Sequence, residues 1–135
     1  MPHKINILMV NEASYLSTGF STIGHELFAR LYNHQDHYNL AEVASYCSPE
    51  DGRILSVPWK IYPGQPSKND QKGLQQYHSD VTAQFGSMAF DYAAIDHKPM
   101  VVFDLRDFWM VSFQEQSPFR PFYKYALSIC ADSAP

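Results

Sequence analysis

KINILMVNEASYLSTGFSTIGHELFARLYN, residues 4–33, changes character twice. Lys4–Val10 is a continuous apolar run rich in branched side chains, the pattern of a strand covered on both faces. A polar loop follows, Asn11–Gly19. Then Phe20, Ile23, Leu27, Phe28 and Leu31 recur at helical spacing. Ser17 or Thr18 supplies a cap for that helix and Asn33 a stop. A strand, a short glycine-bearing loop and an amphipathic helix make the first two-thirds of a βαβ unit.

The same alternation continues along the chain. NHQDHYN (33–39) is a turn, LAEVASYC (40–47) a second strand with mixed alternation, and SPEDGR (48–53) a turn. VPWKIYP (57–63), bracketed by prolines, reads as a short strand near an edge. After the loop PGQPSKN (63–69), Leu74, Tyr77, Val81, Phe85, Met88 and Tyr92 step by three and four residues. That spacing predicts one long helix starting near Asn69 or Asp70. Gly86 weakens it by about 1 kcal/mol against alanine, unless a neighbour packs closely there. MVVFDL (100–105) is a strand, Ser117-Pro118 starts a helix or, because of Pro121, precedes one by a turn, and LSICA (127–131) is the last strand. The order β, α, β, β, α, β, α, β implies an α/β fold over residues 1–135. It is a Rossmann-like three-layer sandwich with a mostly parallel sheet.

At 135 residues the chain suits one domain with a core, and 45% hydrophobic against 18% charged residues makes it globular. The net charge of −4 comes without a basic stripe, which argues against a nucleic-acid partner held by phosphate contacts. No apolar run approaches the roughly 20 residues that span a bilayer. The amino terminus has too short an apolar stretch for a signal peptide, so a cytoplasmic location is expected. Cys47 and Cys130 then read as free thiols, with Cys130 a packing residue.

Parallel sheets bind ligands beyond the carboxyl ends of their strands. Three polar clusters fall there: Asn11–Gly19, Asp104–Asp107 and Asp132-Ser133, which predicts convergence on one rim. Gly19 opens a helix whose free N–H groups favour an anion, with Thr18 and Ser21 as hydroxyl donors. The motif is neither G-x-G-x-x-G nor a Walker loop, and Gly19 serves equally as a plain turn residue, with Gly24 letting helix and sheet pack closely. In VVFDLRDFWM (101–110), alternation sends Asp104 and Arg106 to one side, Leu105 and Asp107 to the other. A carboxylate can orient the guanidinium towards a phosphate or sugar hydroxyl, and Asp107, Trp109 and Phe113 offer a sugar-like surface. The alternative is an ion pair closing the strand end. His34, Asp36 and His37 lack a third ligand and read as a solvated turn rather than a metal site. His25 and His78 read as surface or boundary residues on helices. Asp104 and Asp132 remain open as paired carboxylates; no nucleophile–histidine arrangement is readable.

The blocks KINILMVNEASYLSTGFSTIGHELFARL, FGSMAFDY, MVVFDLRDFWMVSFQEQSPFRPFY and the terminal DSAP resemble the amino-terminal half of GT-B glycosyltransferases, particularly retaining enzymes of bacteria and phages. The resemblance implies two Rossmann-like domains facing a cleft, with a nucleotide-sugar donor and a sugar or other hydroxyl acceptor as ligands. It implies no cofactor and no bound metal. It matches Thr18, Gly19 and Ser21 to the loop near the donor phosphates. Asp104, Arg106, Asp107, Trp109, Asp132 and Ser133 match cleft-facing strand ends. The donor-binding domain has no counterpart in the 135 residues, so the chain is expected to be a truncated acceptor-side half, inactive alone. Two rival readings stand beside it. One is a self-contained flavodoxin-like or Rossmann-like module binding a nucleotide or phosphate without catalysis. The other is an interaction domain that forms homo-oligomers through exposed aromatics among Phe108, Trp109, Phe119, Phe122 and Tyr123.

Overall fold

The computed structural model describes residues 3–105 and 113–127. Within them five strands pair side by side, all parallel: β1 (Ile5–Asn11), β2 (Tyr38–Ala44), β3 (Lys60–Pro63), β4 (Val101–Asp104) and β5 (Lys124–Leu127). Their spatial order is β3-β2-β1-β4-β5. The expected α/β fold is present, with a sheet that is wholly parallel in this region. Its order is that of dinucleotide-binding folds, not the 2-1-3-4-5 order of flavodoxin-like ones.

β1 is the centre of the sheet because its apolar run can be covered on both sides. Leu8, Met9 and Val10 are fully buried. Leu8 and Val10 pack with Phe90 and Ala93 on one face, whereas Met9 packs with Phe28 on the other. The register runs from Ile5 opposite Tyr38 to Asn11 opposite Ala44, and from Ile7 opposite Val101 to Val10 opposite Asp104. β3, closed by Pro63, borders the described sheet at one edge, as its prolines predict.

Helix α1 (Gly19–Tyr32) covers the Met9 face. Thr18 is its cap, accepting a hydrogen bond from the Ser21 N–H at 3.3 Å, and Asn33 ends it. Gly24 brings the helix onto the sheet: a Cβ there would lie 2.3 Å from Asn11 Nδ2 and 3.0 Å from Met9 Sδ and Leu105 Cδ1.

The opposite face corrects the expectation of one long helix. It carries α2 (Gln71–Ser79), α3 (Val81–Gln84) and α4 (Ser87–His97). Asp70 caps α2 through the Gly73 N–H, near the predicted start. Asp80 then ends α2 and caps α3, accepting from the Thr82 N–H and hydroxyl at 3.0 and 2.7 Å. This local bonding competes with helix continuation. Gly86 breaks the chain again at φ 110°, the left-handed region that favours glycine, with Val10 and Val43 methyls 3.4 Å from where its Cβ would be.

One further expectation is corrected after β4. A short helix, α5 (Phe113–Gln116), precedes Ser117, and Ser117-Pro118 leads only to a 3-10 turn, Arg120–Phe122. Pro121 within that turn lacks the N–H that a longer helix would need. The last described strand is Lys124–Leu127, upstream of the predicted 127–131. Residues 128–131 lie outside the described region, as does Cys130.

Candidate ligand site at the sheet switch point

From β1 the chain crosses to β2 on one side, while β4 and β5 lie on the other. The connections leaving β1 and β4 therefore diverge, and such a divergence leaves a crevice beyond the strand ends. Asn11 and Asp104 stand at those ends, and both are fully buried. Asn11 ties three elements together. Its Oδ1 accepts from the Glu12 N–H at 2.8 Å, and its Nδ2 donates to the Phe20 carbonyl at 3.2 Å. Its own carbonyl accepts from the Ser45 N–H and hydroxyl at 2.9 and 3.1 Å.

The residues matched to a phosphate loop sit at the start of α1. Thr18 Oγ1 donates to Glu12 Oε1 at 2.5 Å and lies 2.7 Å from Ser21 Oγ. Ser21 is fully buried, so its hydroxyl belongs to the cap network and does not reach solvent. Gly19 is exposed, and a Cβ built on it meets nothing within 4 Å. The Glu12 carboxylate therefore already complements the amino end of the helix dipole.

Beneath the loop lies a group that the sequence reading passed over. Glu42, in the middle of β2, is fully buried. Its Oε2 accepts from the Ser14 N–H at 2.7 Å, and its Oε1 from the Ser14 hydroxyl at 2.5 Å and Trp59 Nε1 at 3.0 Å. Burial pushes its carboxyl upward from the ordinary range, while the Ser14 and Trp59 donors pull it back. Above it, Ser14, Tyr15, Thr22, His25, Glu26 and Ser56 line an open cavity of about 320 Å³. The sequence signal was a lone acid in the strand LAEVA, at the parity of Leu40 and Ala44, both buried on the α1 face.

The flank of this cavity is also polar. Tyr15 donates to Asp51 Oδ2 at 3.2 Å, and Arg53 holds Asp51 from the other side at 2.8 Å, which keeps that carboxyl well below its usual range. Cys47 is buried and free, and burial pushes its thiol up. His25, read as a boundary residue, is half-buried with its ring 5.6 Å from Trp59.

At the end of β4, Leu105 packs on the α1 face, as alternation predicts for the side away from Asp104. Asp104 stands near two tyrosines from the β5 segment. Burial is the largest influence raising both hydroxyls, with the Asp104 charge adding to it, and Tyr123 is pushed up to about 12. Thr18, Gly19, Ser21 and Asp104 thus share the carboxyl rim of adjacent parallel strands. Arg106, Asp107, Trp109, Asp132 and Ser133 lie outside the described residues.

His34, Asp36 and His37 form an exposed turn at the amino end of β2, away from this rim. Among the described residues no three His, Cys, Asp or Glu side chains cluster so as to hold a metal ion. No helix among them is long and apolar enough to cross a membrane. Comparison with protein-family models, curated proteins and solved structures returns no match to this chain.

Proposed function

We propose that the chain is the acceptor-side domain of a GT-B-type glycosyltransferase. Such an enzyme moves a sugar from a nucleotide-sugar to an acceptor hydroxyl as the nucleotide diphosphate departs. The observation that carries this reading is the switch point between β1 and β4, which brings the Asn11–Gly19 loop and Asp104 to neighbouring strand ends. The resemblance in those same blocks supplies the chemistry. On this reading the rim orients the acceptor, converting a bimolecular encounter into a positioned one. The donor nucleotide is held mainly by a second unit that these 135 residues do not include.

The local charge refines the roles. With Glu12 at the mouth of α1 and Ser21 sequestered, the loop offers Thr18 and the Gly19 backbone more readily to a neutral hydroxyl than to a second anion. Replacing Glu12 by Gln is expected to raise affinity for a nucleoside diphosphate by about two- to fivefold. The test is an amide-resolved NMR titration with nucleoside diphosphates, nucleotide-sugars and oligosaccharides. Shifts confined to residues 11–19 and to Asp104–Leu105 support the reading, and the chain alone is expected to show no turnover. Shifts clustered at the amino ends of the strands, or none with any ligand at millimolar concentration, overturn it.

A further inference from the structure

We infer that Glu42 is a proton-linked latch beneath the β1–α1 loop: residues 14–17 close over a carboxyl group that has donors around it but no paired lysine or arginine among the described residues, and ionisation of that group favours lifting the loop. The inference stands apart from the sugar-transfer reading, because it concerns how the rim is held and not what binds there.

The geometry isolates the segment. Its base is fixed where Asn11 and Glu12 carbonyls accept from the Ser45 and Tyr46 N–H groups at 2.9 and 2.8 Å. Its far end is fixed where Thr18 caps α1. Between those anchors Glu42 holds it through both the N–H and the hydroxyl of Ser14, and Asp51 through the Tyr15 hydroxyl; Arg53 lies 4.8 Å over the Tyr15 ring, and Tyr15 and Leu16 rest on the edge of the α1-side core. The other donor to Glu42, Trp59, is packed edge-on against Phe28 and does not belong to the loop. Ser14 lies between the carboxyl group and the open cavity that it lines, so moving Ser14 admits water there.

A carboxylate shut away without a cation is costly, and three hydrogen bonds offset only part of that cost. The groups facing it are few. His25 on α1 favours the anion; burial pushes the Cys47 thiol after β2 up, so it stays protonated and uncharged where a carboxyl group titrates. Tyr15 on the loop holds its proton through burial, and Asp51 and Arg53 neutralise each other. From the residue just before β3 comes the uncharged Trp59. In the closed state the Glu42 proton is held to higher pH than the ordinary 4.5, the value it regains when the loop lifts and water enters. Closure is thus favoured below 4.5 and loses that advantage as pH rises through the closed-state midpoint.

The experiment follows the Glu42 side-chain carboxyl carbon and the hydrogen-exchange protection of Ser14, Tyr15 and Leu16 against pH by NMR. The expected result is one shared midpoint above the ordinary carboxyl value, with loop protection falling about tenfold across it while Val43 and Val102 keep theirs. Glu42→Gln keeps the side-chain shape, cannot ionise, and is expected to abolish the step. Should that variant fail to fold, Ser14→Ala leaves β2 intact, removes one donor to the anion, and is expected to raise the Glu42 midpoint. Titration at the ordinary value, a loop with no step at the Glu42 midpoint, a step that survives in Glu42→Gln, or a midpoint unmoved by Ser14→Ala would each overturn the latch.

Discussion

At the carboxyl end of the sheet, Asn11, Ser14 and Glu42 join loops to strands and to one another. At the amino end, the polar side chains serve the backbone. His97 Nε2 lies 3.0 Å from the Ile7 carbonyl and 3.1 Å from that of Asn39; both carbonyls accept, so this nitrogen carries the proton. Asn6 Nδ2 donates to the carbonyls of His97 and Lys98, groups that the end of α4 leaves open, and Asn6 Oδ1 accepts from Asn39. Closing the amino end thus needs no mobile part. The carboxyl end holds its polar groups beside the loop inferred to lift, and that asymmetry matches where parallel sheets bind ligands.

The largest expected effect tests whether the carboxyl end tolerates any change in backbone spacing. Gly64 follows β3, donating its N–H to the Ala44 carbonyl, and a Cβ there would lie 2.5 Å from Ser45 Cα and 2.9 Å from that carbonyl. Backbone cannot swing aside as a side-chain tip can. Gly64→Val is expected to cost about 3 kcal/mol in urea unfolding and to disturb the Ser45 contact with Asn11.

Next comes the amino end. His97→Ala leaves two carbonyls without their donor, and a loss of about 2 kcal/mol is expected. Burial holds the His97 imidazole below its ordinary 6.5. The unfolded chain therefore takes up this proton first; the His97 contribution is intact above pH 6.5 and is lost as pH falls through the folded value. Glu42 has the opposite sign, losing stability as pH rises above 4.5. Global stability measured against pH in His97→Gln and in Glu42→Gln should flatten the acid and the alkaline slope respectively. If both variants flatten the same slope, the contrast between the two ends fails.

A smaller change is expected to be stabilising. Lys98 ends α4 at φ 51°, left-handed for a residue with a Cβ. Lys98→Gly relieves that conformation at some cost in unfolded-chain entropy, for a net gain of about 0.5 kcal/mol read as a rise in melting temperature. The same substitution at a loop position with ordinary backbone should lower stability instead.

What was readable in the sequence depended on whether the signal was local. β1, the loop and α1 each carry their own mark: a two-sided apolar run, a hydroxyl cap and a helical period. The break in the second helical region was hidden because Val81, Phe85, Met88 and Tyr92 keep their spacing through it. Spacing records which side is apolar, whereas Asp80 and Gly86 decide whether the backbone stays helical. The rim was legible as strand ends followed by polar residues, which places Asp104 and Thr18. Glu42 was not, because a single acid in an alternating strand looks solvent-facing until Trp59 and Ser14, far away along the chain, are seen to cover it.

The smallest effect separates an ion pair from a hydrogen bond at the amino end. Lys60 Nζ lies 2.7 Å from Asp96 Oδ2, and the buried Tyr62 donates its hydroxyl to the same oxygen at 2.6 Å. The Lys60 and Asp96 side chains are 59% and 39% exposed, so water and salt screen their attraction. Tyr62 differs, since its ring lies in the core and its hydroxyl needs an acceptor at the boundary. Lys60→Met is therefore expected to leave the urea midpoint within experimental scatter, at low and high salt alike. Asp96→Ala is expected to lower the midpoint at both salt concentrations, because Tyr62 loses its acceptor. Were Lys60→Met the more damaging change, and only at low salt, the amino end would rest on surface charge and not on satisfied polar groups.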